Sequence, residues 1–173
     1  MYDPNRLQIQ LANMIAVEAS IEKNLEELIP KVSAHTETTA LLTGFLPTTR
    51  AQRLALEGRL NTIAHEVSLP KRSPEVFAET RLFQEADYPV STALQIVYTM
   101  LQQAVIGYSV LYSFSTLFMD GLYLSDQGTS FDLARQHTQN YVNSTQQIAR
   151  LIDDVVIWEL DEKCLECQCT CPM

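Results

Sequence analysis

Apolar side chains return along the chain at alternating steps of three and four over four long stretches, the spacing of helices that pack lengthwise on one another. The first stretch runs from Leu7 to Val32 and places Leu7, Leu11, Met14, Ile21, Leu25, Leu28 and Val32 on one seam. Glu18 falls on that same seam, where the register asks for an apolar group. A carboxylate buried there needs a partner, a proton or a metal. Asp3 and Pro4 read as the cap and first turn of this helix, which ends near Pro30. Glu22, Lys23, Glu26 and Glu27 make its solvated face.

The second pattern uses Leu42, Phe45, Leu56, Leu60, Ile63 and Val67, with Thr49 and Gln52 on the seam between. Pro47 inside it predicts a kink or a break near residues 43–46, with two helices in series as the stronger form. Arg50, Arg53 and Arg59 form a basic strip, from which Arg50 or Arg53 could turn inward to neutralise Glu18. Residues 68–89 hold Pro70, Pro74 and Pro89 and make the longest irregular connection, with a short helix over 74–84; a crossover between helices two and three would use such a connection.

The third helix is predicted over 91–119, capped by Ser91 or Thr92. Leu94, Val97, Leu101, Val105, Tyr108, Leu111 and Tyr112 form one stripe; Ile96, Met100, Val110, Phe114, Leu117 and Phe118 cover the other sides. A helix apolar all round needs cover all round, and a bundle supplies it on one face. Two readings follow: a partner contact using Tyr98, Tyr108, Tyr112, Phe114, Phe118 and Tyr123, or a thick core beneath the long connection. Residues 88–119 carry no charge and are long enough to span a bilayer, but Gln95, Gln102, Gln103 and the absence of flanking basic clusters argue against a membrane span. Asp120 and Gly121 stop this helix, and residues 125–130 turn the chain into the fourth. Its seam is Ala134, His137, Tyr141, Ile148, Leu151, Val155 and Trp158. His137, the ionisable member, reads as a core residue, as the partner of Glu18, or as a second ligand beside it in a residual metal site.

The segment after Trp158 changes character, with Cys164, Cys167, Cys169 and Cys171 within eight residues and no cysteine elsewhere. Thiols this close suit zinc or an iron-sulfur cluster. Three readings stay open: a metal site within the tail, a half-site completed by another chain, and disulfides or free thiols. The domain division is a helical bundle over 1–160 and a cysteine-rich tail over 161–173.

Composition narrows the function. The 173 residues carry a formal charge of −9, which argues against a nucleic-acid partner. The start of the chain lacks a basic segment followed by an apolar core, so the expected location is the cytoplasm. No Gly-rich phosphate loop and no nucleophile beside a base is found, so the chain is not expected to be an enzyme; a redox role for the tail cysteines is the one catalytic form left open.

The four helices resemble the ferritin-like superfamily, and more closely the YciE/YciF-type proteins. The likeness is clearest in LANMIAVEASIEKNLEELIPKV and TTRAQRLALEGRL and continues through QQAVIGYSVLYSFSTL and LARQHTQNYVNSTQQIARLI. It implies an all-α antiparallel four-helix bundle with a long crossover between helices two and three. In metal-binding members, glutamates and histidines surround a di-iron centre. Here Glu18 takes the first-helix ligand position, while the second-helix positions fall on Arg50 and Gln52. The third helix has no carboxylate, and the fourth offers His137 with Asn140, Asn143 and Ser144 where acids would be needed. The resemblance therefore implies a bundle whose di-iron centre is lost. The expected role is a non-catalytic structural or assembly subunit packing through its third helix, as a homo-oligomer or in a larger assembly. The alternative is a metal-binding stress protein using Glu18 and His137 or the tail cysteines.

Overall fold

In a computed structural model, which describes residues 5–63, 89–118 and 128–168 with side chains as far as 162, four long helices make an all-α bundle. They are α1 (Asn5–Leu28), α2 (Thr36–Ile63), α3 (Val90–Leu117) and α4 (Ser130–Gln168). A 3-10 turn, Ile29–Val32, tightens the end of α1, with Pro30 in its first turn. All eight predicted seam positions of the first helix are buried, Glu18 among them. The predicted cap at Asp3, the helix over 74–84, the stop at Asp120 and Gly121, Val67 and Tyr123 lie outside the described residues.

The helices occupy the corners of a square. α1 packs on α2 and α3, and α4 packs on α3 and α2, whereas the diagonal pairs scarcely touch. Side-chain contacts give the directions. Gln10 bonds to the Gly107 carbonyl at 3.1 Å and Asn24 meets Met100 at 3.2 Å, so α1 and α3 are antiparallel. Gln8 reaches the Ile63 carbonyl at one end of the bundle, while Ser91 meets Glu159 and His35 stacks edge-on against Trp158 at the other. The ends of α2 and α3 that residues 64–89 join thus lie at opposite ends of the bundle, which is the long crossover the connection predicts.

Local chemistry departs from expectation in two places. α2 runs as one helix through Pro47 rather than as two in series; its packing on α1 and α4 outweighs the hydrogen bond that proline cannot donate. The start of α3 has no side-chain cap from Ser91 or Thr92. Instead the Glu159 carboxylate of α4 accepts from the Ser91 backbone N–H at 2.9 Å and from the Ser91 hydroxyl at 2.7 Å. An anion at the positive end of a helix supplies what a local cap would. α4 begins conventionally: Gly128 turns at φ 93°, then Thr129 Oγ1 accepts from the Asp132 N–H while donating to its carboxylate. α4 continues to Gln168, past the start of the cysteine-rich segment.

α1 and α3 approach closely at Gly107, where a Cβ would lie 2.6 Å from Met14 Sδ. That approach sets the level at which Glu18 and Tyr108 face each other.

Candidate functional site

Glu18 lies midway along α1 with no exposed surface, and it meets a side chain from every other helix. The Tyr108 hydroxyl of α3 donates to Oε1, the Tyr141 hydroxyl of α4 donates to Oε2, and Gln52 Nε2 of α2 donates to Oε1 at 3.1 Å. A second layer holds these donors. His137 Nδ1 is 3.0 Å from the Tyr108 hydroxyl, and Asn140 Nδ2 donates to Gln52 Oε1 at 2.9 Å. Tyr108, Tyr141, Gln52 and His137 are all buried. Each points inward because it occupies a seam position of its own helix, and the packing of the four helices brings them to one level.

Burial governs the protonation of this cluster. It raises the Glu18 carboxyl to about 7, although hydrogen bonds from Tyr108, Tyr141 and Gln52 favour the charged form and oppose the rise. Burial also lowers His137 to about 4, so the imidazole is neutral. Both phenols are pushed well above their usual value, first by burial and then by the Glu18 charge. With Glu18 ionised, Tyr108 donates to it and accepts from His137 Nδ1–H, leaving Nε2 an acceptor. With Glu18 protonated, its O–H can donate to the Tyr108 oxygen, whose own O–H turns to Nδ1. A proton taken up on Oε1 would thus switch the tautomer of His137 through Tyr108, whereas one on Oε2 would face Tyr141 and leave it unchanged.

Arg50 and Arg53 do not turn inward. Arg50 binds Glu22 at 2.6 Å and Glu26 at 2.5 Å; Arg53 binds Glu22 at 3.1 Å and Glu57 at 2.8 Å. Burial works against ionisation of Glu22, yet its bonds to these two guanidiniums hold it below the ordinary carboxylate range. Acids on the outer faces of α1 and α2 thus take both arginines, and neutral donors are left to satisfy Glu18.

A di-iron centre does not fit this donor set. Two irons need several carboxylates, and here one carboxylate faces two phenols, an amide and an imidazole, with both of its oxygens already bonded. Among the described residues no group of three His, Cys, Asp or Glu could hold a metal ion. Glu18 and His137 come together only through Tyr108. Cys164 and Cys167 fall on the last turns of α4; their side chains, and Cys169 and Cys171 altogether, lie outside what the structure describes.

The role of the tyrosines does not follow from the apolar pattern. Tyr108, which the pattern places on an apolar stripe and in a partner contact, is a fully buried hydrogen-bond donor, and Tyr141 is in sequence one seam member among several. The available signal was positional: both are polar-tipped residues on seams that must meet a buried acid.

The network opens toward the surface between α2 and α4, the most thinly packed neighbours in the bundle. A cleft of about 380 Å³ there is floored by Gln52 and His137. Compared with known proteins, the chain matches no family model, no curated protein and no solved structure.

Proposed function

We propose that this chain is a non-catalytic, ferritin-like bundle that acts as a structural or assembly subunit and packs through α3 against a second copy of itself. The observation that carries the reading is the outer face of α3. Over 28 residues the helix has no charged side chain, and Tyr98, Ile106, Val110, Tyr112 and Leu117 remain exposed, Ile106 by 67%. These apolar side chains alternate with exposed Gln, Ser and Thr on an uncharged helix face, and an uncharged face that exposes several large apolar side chains favours a contact.

The hydroxyl residues of that face are compatible with the same reading. The hydroxyls of Thr99, Ser109, Ser113 and Thr116 each donate to the carbonyl four residues back in α3, at 2.9–3.0 Å. Their protons are satisfied within the helix, so covering them leaves no donor stranded. Charge favours a second copy as the cover. With −9 on the chain, two copies repel across their acidic faces but meet without penalty across an uncharged one. α3 is also long and apolar enough to cross a membrane, with 39% of its most apolar window buried. Its inner face builds the core around Glu18, which supports a bundle helix over a lipid-facing one.

Sedimentation of the full chain against Ile106→Glu tests this. The native chain should form a dimer or larger species, and the variant should keep its helicity while dissociating at least about tenfold more readily, because a charge is buried in an apolar contact. A native chain that stays monomeric at high concentration overturns the proposal.

A further inference from the structure

The assembly role leaves the cleft between α2 and α4 unexplained. Its volume, about 380 Å³, is in the range of small-molecule sites. Pro47, Ala51 and Ala55 of α2 and Leu133 of α4 give it apolar surface, beside the polar side chains of Thr48, Gln136 and Asn140. The floor is made of two polar side chains, Gln52 and His137, each only 3% exposed. Buried polar groups beside apolar surface in a cleft are the usual means of orienting a ligand.

The hydrogen bonds already made decide what remains on offer. Gln52 gives its amide N–H to Glu18 and accepts from Asn140, so both ends are committed. His137 commits Nδ1 to Tyr108 and keeps Nε2 for the cleft. None of the nine residues lining the cleft carries an acidic, lysine or arginine side chain, so neither an anion nor a cation finds a counter-charge. The occupant is therefore neutral. Nε2 accepts a hydrogen bond while Nδ1–H points to Tyr108 and donates one when a proton on Glu18 Oε1 reverses that bond, and a hydroxyl is the group that serves both states.

We infer that the α2–α4 cleft binds a small neutral molecule with an apolar body and one hydroxyl, of the phenol class, whose hydroxyl bonds to His137 Nε2. The bound hydroxyl extends the chain Glu18–Tyr108–His137 by one member. A ligand that holds Nε2 as acceptor keeps Nδ1 protonated and so favours ionised Glu18, which couples the cleft to the centre of the bundle.

Titration of the full chain with 4-methylphenol, followed by nitrogen NMR of the His137 ring, tests the inference with toluene as the matched compound lacking the hydroxyl. 4-Methylphenol should bind saturably and shift the ring nitrogens, and toluene should bind at least about fivefold more weakly, the contribution of one hydrogen bond. Ala51→Trp, a change at an exposed position outside the Glu18 network, should fill the cleft and abolish binding while leaving the helical signal intact. Equal binding of the two compounds, undiminished binding to Ala51→Trp, or no saturable shift of the His137 ring would each overturn it.

Discussion

His137 reaches Glu18 only through Tyr108: the imidazole Nδ1 lies 3.0 Å from the phenol oxygen, and the phenol donates to Glu18 Oε1. One phenol thus joins an acid on α1 to a base on α4. The centre of the bundle is a shared hydrogen-bonded unit contributed by all four helices, and its members should not behave independently when changed.

Tyr141→Phe removes one donor from Glu18 while leaving the Glu18–Tyr108–His137 chain in place, so it should cost about 1–3 kcal/mol, the range for leaving a buried acceptor short of a partner. Tyr108→Phe removes a donor from Glu18 and also deprives His137 Nδ1 of its contact, so it should cost more. Urea unfolding at pH 8 measures both. At pH 5, where Glu18 is protonated and asks for fewer donors, the cost of Tyr141→Phe should shrink.

The two titrating groups of the cluster should pull stability in opposite directions. The folded chain holds a proton on Glu18 up to about pH 7, whereas an ordinary carboxyl loses it near 4.5. Its contribution is greatest below pH 4.5 and is lost as pH rises to 7, by roughly 3 kcal/mol at most. His137 does the reverse: its pKa falls from 6.5 to about 4 on folding, so its contribution is present above pH 6.5 and is lost as pH falls toward 4. Between these limits the two largely cancel. Glu18→Gln should therefore lose stability on acidification from pH 6.5, and His137→Gln should gain it from pH 7 downward, as read by denaturation midpoints across pH.

Much of this arrangement was legible in the chain because periodicity is a local property. The α1 seam came out in register from Leu7 to Val32, and that register put Glu18 inside. Thr49 and Gln52 likewise fall on the α2 seam by spacing and are buried. What periodicity does not encode is which residue on one helix stands level with which on another. Tyrosine deepened the difficulty, since its ring fits an apolar stripe and its hydroxyl fits a polar core equally well. The cap of α3 was out of reach for a related reason: Glu159 is 68 residues from Ser91, so no local capping pattern contains it. The destination of Arg50 and Arg53 was a choice between a buried acid and exposed ones, and desolvation favours the exposed pairs.

Because Glu159 supplies the cap of α3, Glu159→Ala should destabilise the bundle by about 1 kcal/mol, the size of a lost N-cap. The loss should be local in origin. Hydrogen exchange should quicken at the amides following Ser91 while those around Tyr108 keep their protection. Glu159→Gln, which retains an acceptor but loses the charge, should fall between the two.

Infrared difference spectroscopy between the native chain and Glu18→Gln, followed from pH 4 to pH 9, tests most directly that Glu18 sits in the bundle centre on hydrogen bonds from Tyr108, Tyr141 and Gln52. A protonated carboxyl stretch should be present at low pH and give way to the carboxylate with a midpoint near 7. A midpoint near 4.5, the value of an ordinary carboxyl, or a carboxylate band that persists unchanged to pH 4 would contradict it.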